Sequence, residues 1–330
     1  MELTEIAFAP NQPPLRVWRL RGDGSGPAAH LQGGVHADEI PPSLVLHRLL
    51  PRLQAAEAGG RLRGDIVVIP QANPIGAAQA VAGRLIGRFE LASGRNFNRA
   101  FPAAYAESTD PFVAWQAKLL ELAAPARIVL DLHTDDEALP YLYIPVSMWP
   151  RARPLAAAIG AAAVITSNPG DGGGAFEDAV ALDFIARGID GLVSTVELRG
   201  QSDVSDALAE ADADGLLDVL RAEGVVAGEP RIAKWSGEVV ALDHMQLVDA
   251  EHAGVVVMTR PLGAWLEAGE TFARLLPRPG DHAADQSIAA PLPGRLLTHT
   301  RDRLVRAGGR IAKLTAAGPP PFARRGPLHD

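Results

Sequence analysis

The sequence predicts an α/β fold: a mixed sheet flanked by helices, followed by a small all-β unit. Three observations carry this. Strand patterns rich in Val and Ile alternate with helix patterns through the first two thirds of the chain. After about Gly228 they give way to short β-like runs separated by Gly and Pro, with no convincing helix. The 330 residues, 47% hydrophobic and 21% charged, have ordinary globular composition, enough for one large domain or two. The division is placed at residues 1–227 and 228–330.

The elements follow in order. Residues 14–22 (PLRVWRLRG) alternate apolar and polar, as a half-buried strand does. A short strand leads into Gly33 and Gly34. A helix starts at IPPSLVLHRLLPRL, where Pro41 and Pro42 hold positions at which a missing N–H costs little. Residues 65–74 (DIVVIPQANP) read as a buried strand ended by Asn-Pro. Asp110 caps a helix over 110–124, with Pro111 next and an i, i+3, i+4 apolar stripe behind it. RIVLDLHT, YLYIPV, AAVITSN and GLVSTVELRG are further strands, and residues 205–224 form an amphipathic helix.

The tail contains a weak repeat. AGVVVMTRPLGAWLEAGETFARLL and PGRLLTHTRDRLVRAGGRIAKL both run strand, polar turn, strand. The pattern resembles the two halves of a biotinyl/lipoyl-like sandwich or barrel. A carrier of that kind needs a nucleophilic Lys at the hairpin between the halves. The three lysines, Lys118, Lys234 and Lys313, leave none there, which argues against covalent cofactor carriage.

Composition excludes several functions. With 39 acidic against 31 basic residues, the formal charge of −8 argues against a nucleic-acid partner. The absence of Cys excludes a disulfide scaffold and a thiolate metal site. The longest apolar stretch, 156–166, is shorter than the ~20 residues a spanning helix needs. MELTEIAFAP carries Glu2 and Glu5 and no basic n-region. The expectation is a soluble, cytoplasmic protein with no membrane partner. Oligomeric state is not readable, and a homo-oligomer is compatible with the chain.

The sequence lacks G-x-S-x-G, the G-x-x-x-x-G-K-[ST] loop, G-x-G-x-x-G after a strand, and H-E-x-x-H. Without thiols, a metal site must draw on His, Asp and Glu. His36-Ala-Asp-Glu39 is the one H-x-x-E among nine His. It sits between a strand end and a helix start, where open α/β sheets bind ligands. The plain alternative is a solvated loop His and a first-turn Glu. His133 ends the apolar run 128–130, with Asp131 on the same face to orient its imidazole. A satisfied core His is the alternative there. Glu197 lies inside an apolar strand, a costly place for a carboxylate unless it is paired or functional. Facing a metal-bound water is the functional reason, and pairing with Arg199 is the other. Arg95-Asn96-Phe97-Asn98-Arg99 offers amide donors and a guanidinium fork able to hold a carboxylate, or else a basic solvated loop. Gly170–Gly174 is a surface loop, or a mobile loop beside an active site.

Taken together and in order, GGVHADE, Asn73–Pro74, NFNRAFP, DLHT and TVELRG resemble the succinylglutamate desuccinylase/aspartoacylase family, itself similar to the zinc carboxypeptidases. The resemblance covers most of residues 30–200, and the β tail fits the family's C-terminal domain. It implies a zinc-carboxypeptidase-like sheet and one Zn2+ per chain, held by His36, Glu39 and His133. It implies Asn98 and Arg99 as the grip on a substrate carboxylate and Glu197 as general base. The family also has an arginine that polarises the scissile carbonyl. Arg88 is the choice here, with Arg84 and Arg95 open because the spacing does not align securely. The family's usual Asp ahead of Asn-Arg is Asn96 in this chain.

The expected activity is hydrolysis of the amide bond of a small N-acyl amino acid by metal-activated water, with ester cleavage open at the same site. A metallocarboxypeptidase acting on peptide C-termini would use the same ligands and base. A non-catalytic metal- or ligand-binding protein would tolerate loss of Glu197. The acyl group, the amine and the pathway are not named by the sequence.

Overall fold

Runs of β-branched and aliphatic residues build one nine-stranded mixed sheet, and its centre sets the site. In this computed structural model residues 1–8, 12–102, 108–171 and 173–320 are described. The chain opens with β1 (Glu2–Ile6), β2 (Leu15–Leu20), β3 (Ala29–Gly33), α1 (Ile40–Ala58), β4 (Ile66–Ile69) and α2 (Pro74–Ala77). Next come the hairpin β5 (Ala80–Val81) and β6 (Arg84–Leu85), then α3 (Pro111–Ala123), β7 (Ile128–Asp135), β8 (Glu137–Ala138) and β9 (Tyr141–Pro145). After these follow α4 (Arg153–Ala158), β10 (Ala163–Ser167), α5 (Phe176–Arg187), β11 (Leu192–Gly200), α6 (Asp206–Ala222) and β12 (Glu238–Ala241).

The sheet order is β1-β2-β4-β3-β7-β11-β9-β10-β12. Its middle strands β4, β3, β7 and β11 run parallel, and β9 joins β11 antiparallel. Both β3 and β7 are buried along their whole length, as expected of central strands covered on two faces. α1 buries Val45, Leu46, Leu49, Leu50, Leu53 and Ala56, a stripe at helical spacing, and lies against α6. Asp110 caps α3 by accepting a hydrogen bond from the Phe112 N–H, as its sequence position predicts. α4 and α5 carry no forecast from the sequence. The stripe Phe176, Val180, Ala181, Phe184 and the left-handed Gly188 cap are the signals that mark α5.

The rest of the chain is β13 (Gln246–Asp249), β14 (Gly254–Met258), β15 (Trp265–Leu266), β16 (Thr271–Leu276), β17 (Gln286–Ala289), β18 (Gly294–His299), β19 (Leu304–Val305) and β20 (Arg310–Leu314). Each sequence repeat becomes a long strand, a two-residue strand and a long strand. The short strands are exchanged: β19 pairs with β14 of the first repeat, and β15 pairs with β18 of the second. β12, beyond residue 228, hydrogen-bonds parallel to β10 in the large sheet. β8, just after β7, pairs with β18. Lys313 of β20 is buried, and its Nζ donates to Asp135 Oδ2 at 2.6 Å, tying the tail to the end of β7. Among the described residues, no helix is long and apolar enough to cross a membrane.

Candidate active site

The site lies at the C-terminal ends of β3, β7 and β11, three adjacent parallel strands. β3 ends at Gly33, and the turn that follows brings His36 and Glu39 to the edge. Gly34 has φ +72°, and a Cβ there would come within 2.2 Å of Gln71 Oε1, so only glycine fits this turn. Asn73 braces it by donating to Val35 O at 2.8 Å. On β7, His133 sits directly beside Glu197 of β11 in register, so both side chains share one face. The ladder shifts register between Glu197 and Gly200, and Arg199 there has φ +84°. Arg199 pairs with Asp212, not with Glu197.

His36, Glu39 and His133 are buried, and their ligand atoms all lie within 4.8 Å of one another, so the three could hold a metal ion. His36 Nδ1 lies 2.9 Å from Glu39 Oε1, and His133 Nδ1 lies 2.8 Å from Glu39 Oε2. The far side of each ring is also held. His36 Nε2 meets Asn96 Oδ1 at 2.9 Å, and His133 Nε2 meets Asp131 Oδ2 at 2.9 Å. Behind Asp131 a buried relay continues: Gln32 Nε2 donates to Asp131 Oδ1 at 3.1 Å, and Gln32 Oε1 meets His30 Nε2 at 2.9 Å. Asp131 therefore has the orienting role its spacing predicts. Gln32 and His30 have no assigned role in the sequence, and Asn96, read there as part of a substrate-holding run, instead braces His36. The polar H-x-Q alternation within a buried strand was the available signal.

The cleft above these residues encloses about 580 Å³, open solvent at its mouth included. Its lining brings together all seven predicted site residues: His36, Glu39, Arg88, Asn98, Arg99, His133 and Glu197. Arg88 Nη2 donates to Glu39 Oε1 at 2.7 Å. Gly87 allows that approach. Its carbonyl accepts from the Ala37 N–H at 3.0 Å, and a Cβ on it would come within 2.1 Å of the Asp38 nitrogen. The other two arginines left open lie elsewhere. Arg95 pairs with Glu90 and Asp110, and Arg84 is exposed on β6. Arg99 Nη1 donates to Asn98 O at 2.7 Å. Asn98 Oδ1 accepts the Phe176 N–H at 2.8 Å, so Asn98 also fixes the start of α5. The Gly170–Gly174 loop, outside Gly172, adjoins the site: Gly174 O accepts from the Phe101 N–H at 2.8 Å.

The electrostatics separate the groups. Burial penalises the Glu39 carboxylate, but His36 and His133 override it and hold Glu39 well below the usual range. Burial also opposes the His133 cation, yet the Asp131 and Glu39 carboxylates hold it well above its ordinary value. Burial and the Arg88 charge lower His36. Burial, with Glu39 and Asp135 adding to it against the pull of His133, pushes Glu197 up to about 8. Glu197 Oε2 is buried and accepts no hydrogen bond among the described residues.

Residues 25–222 match the succinylglutamate desuccinylase/aspartoacylase catalytic domain. The chain belongs to that family. A curated relative, the N-alpha-acetyl-L-2,4-diaminobutyric acid deacetylase of Halomonas elongata, is 27% identical over 305 residues, covering 88% of this chain and 82% of the relative. A succinylglutamate desuccinylase/aspartoacylase family protein from Shewanella amazonensis superposes with TM-score 0.80 at 23% identity, covering 96% of this chain and 98% of the other. A succinylglutamate desuccinylase/aspartoacylase from Rhodobacter sphaeroides gives TM-score 0.70 at 25% identity, covering 92% and 90%. The mixed α/β fold thus matches that of the desuccinylase/aspartoacylase structures, and the family's names point to deacylase chemistry, the hydrolysis of an amide.

Proposed function

We propose that the chain is a zinc-dependent amidohydrolase that removes the acyl group from a small N-acyl amino acid. One observation carries the reading: the buried His36, Glu39 and His133 cluster lies beside Glu197, a buried carboxyl in register with His133. The donor set fits zinc. Two imidazoles, one carboxylate and an open fourth position are the catalytic zinc pattern. The hydrogen bonding fits as well. His133 Nε2 lies 2.9 Å from Asp131 Oδ2, a contact in which the ring N–H donates to the carboxyl oxygen. Asn96 Oδ1 already accepts the Asn98 N–H, which makes it the acceptor of the His36 Nε2 hydrogen too. With the Nε2 hydrogen of His36 committed to Asn96, His36 Nδ1 presents its lone pair to Glu39 Oε1, two acceptors 2.9 Å apart that a shared cation reconciles.

When bound, zinc supplies Lewis-acid polarisation of the carbonyl and lowers the pKa of water. The remaining work falls to the chain's own side chains. Glu197, a carboxyl raised toward neutrality, takes the proton of the attacking water and delivers it to the leaving amine. One of the five N–H donors of Arg88 is used on Glu39, and we assign others to the developing oxyanion. Arg99, with Asn98 beside it, holds the substrate carboxylate. The tail is read as an all-β unit, sandwich- or barrel-like and biotinyl/lipoyl-like in its repeat, but the expected boundary at 227/228 needs moving: β12 at Glu238–Ala241 pairs with β10 in the large sheet, so the unit begins after it.

Elemental analysis combined with a turnover screen tests this. The expected result is about one zinc per chain and release of free amine from N-acyl amino acids in preference to dipeptides. Preference for dipeptides would make the chain a carboxypeptidase. Bound zinc with no turnover of either class would make it a metal-binding protein.

A further inference from the structure

One charged group of the cleft has no task in the chemistry above. Glu177 stands in the first turn of α5 and lines the same cleft as Arg99 and Glu197. Its place is fixed from the site itself, because the preceding residue, Phe176, donates its N–H to Asn98 Oδ1 at 2.8 Å. Glu177 Oε2 is buried and accepts no hydrogen bond among the described residues. The neighbouring acid, Asp178, shows the contrast: its two oxygens accept from the Gly170 and Gly174 N–H groups at 2.6 and 3.3 Å. Asp178 holds the loop, and Glu177 faces the cavity. A buried carboxylate oxygen left without a donor is costly, and a cationic ligand group removes that cost.

The charge inventory of the cleft agrees. Of its cations, Arg88 is engaged by Glu39, and Arg99 is assigned to the α-carboxylate of the substrate. A second carboxylate on the substrate would meet Glu177 or Glu197, with no further Lys or Arg lining the cleft to receive it. A side-chain ammonium would meet a carboxyl made ready for it.

We propose that Glu177 binds a protonated amine on the substrate's side chain, so that the substrate is an N-acyl diamino acid. This rests on the hydrolase reading and narrows it. Burial, with the Asp131 carboxylate adding to it, pushes Glu177 up to about 7, which is the behaviour of a carboxyl awaiting a counter-charge.

Three probes of matched chain length test the assignment: N-α-acetyl-2,4-diaminobutyrate, N-α-acetylnorvaline and N-α-acetylglutamate, the first two isosteric. They place an ammonium, a methyl group and a carboxylate at the same chain position. The wild-type protein should favour the ammonium over the methyl compound by about 10–100-fold in kcat/KM, the range of a charge-assisted hydrogen bond, with the glutamate compound last. Glu177→Gln should erase most of that ratio, and Glu177→Lys should move the preference toward acetylglutamate. Calorimetry with free 2,4-diaminobutyrate, in protein of normal zinc content, should show binding weakened about 10-fold or more by Glu177→Gln. Equal losses on all three probes would make Glu177 a base or a structural group and overturn the proposal while the hydrolase reading stands. No hydrolysis of any probe, with diaminobutyrate binding still dependent on Glu177, would overturn the hydrolase reading and leave the ammonium site in place. Diaminobutyrate binding that ignores Glu177, or is absent, overturns the ammonium site in either case.

Discussion

Two sets of polar groups in the cleft, the candidate ligands and the rest of the lining, differ in how completely their atoms are paired. On the ligand wall each ring nitrogen of His36 and His133 and both oxygens of Glu39 have a partner within hydrogen-bond distance. In the rest of the lining, the unpaired wall, Glu177 Oε2, Thr195 Oγ1 and Glu197 Oε2 are buried with no partner among the described residues. Buried polar atoms are seldom left unpaired, because each costs roughly 1–3 kcal/mol of lost hydration. A fully paired wall is held rigid to present its ligands in one geometry. An unpaired wall is complete only when water or substrate fills it. The contrast suggests that mutations on the first wall act through metal occupancy and those on the second through turnover or substrate affinity.

The severest test removes a ligand. His133→Ala should drop the zinc content from about one per chain to near zero, since three protein ligands leave no redundancy. Turnover should fall below detection with it. Full occupancy measured by elemental analysis in this variant would remove His133 from the ligand set and break the division between the walls.

The second test crosses to the unpaired set. Glu197→Gln preserves shape but cannot accept a proton, so kcat should fall by about 10²–10⁴-fold. Zinc content should stay normal. The two readouts must separate: metal loss here would mean that Glu197 belongs to the ligand wall. Near wild-type turnover would move the base to another carboxyl, such as Glu177, which lines the same cleft, or Asp136.

Much of this contrast was legible in the sequence, and the reason is geometric. His36 and Glu39 lie between a strand end and a helix start, and His133 and Glu197 lie in the C-terminal halves of β7 and β11. Parallel strands of one sheet bring such ends to a common edge. Spacing along the chain therefore carried the information. The contacts of Gln32 and Asn96 escaped it because their partners come from other strands and loops. Gln32 reaches Asp131 across 99 residues and Asn96 reaches His36 across 60, distances no local pattern records. Asn98 was read as a carboxylate donor, and nothing in its neighbours reveals that Phe176 would come to its oxygen. The tail repeat was visible, but the exchange of its short strands was not, because pairing partners are a tertiary choice.

A milder change tests how far the paired wall depends on its support. Asp131→Asn keeps the size of the side chain but weakens the acceptor behind His133. Partners of this kind typically contribute 10–100-fold to metal affinity or activity. Competition with a zinc chelator should show affinity reduced by about that factor, with turnover recovered at saturating zinc. A loss of turnover that excess zinc does not restore would mean that Asp131 acts on the reaction itself.

The smallest effect is expected at Arg99, on the substrate side. A guanidinium can hold a carboxylate through two parallel hydrogen bonds, whereas Lys offers a point charge at a different reach. Arg99→Lys therefore keeps the charge and loses the fork. KM for an N-acyl amino acid should rise by about 10-fold, the scale of one charge-assisted hydrogen bond, with zinc still bound. The matching substrate amide lacks the negative group, so it should be poor for the wild-type protein and lose little more in the variant. Measuring kcat/KM for both substrates in both proteins closes a cycle whose coupling energy isolates the contact. A surface role for Arg99 would give equal, weak responses and a coupling energy indistinguishable from zero. That outcome would reject the clamp without touching the zinc site, because Arg99 and the three ligands stand on opposite sides of the comparison. A coupling confined to KM would place Arg99 in ground-state binding. A coupling that also appears in kcat would mean that the clamp tightens as the scissile bond reaches its transition state.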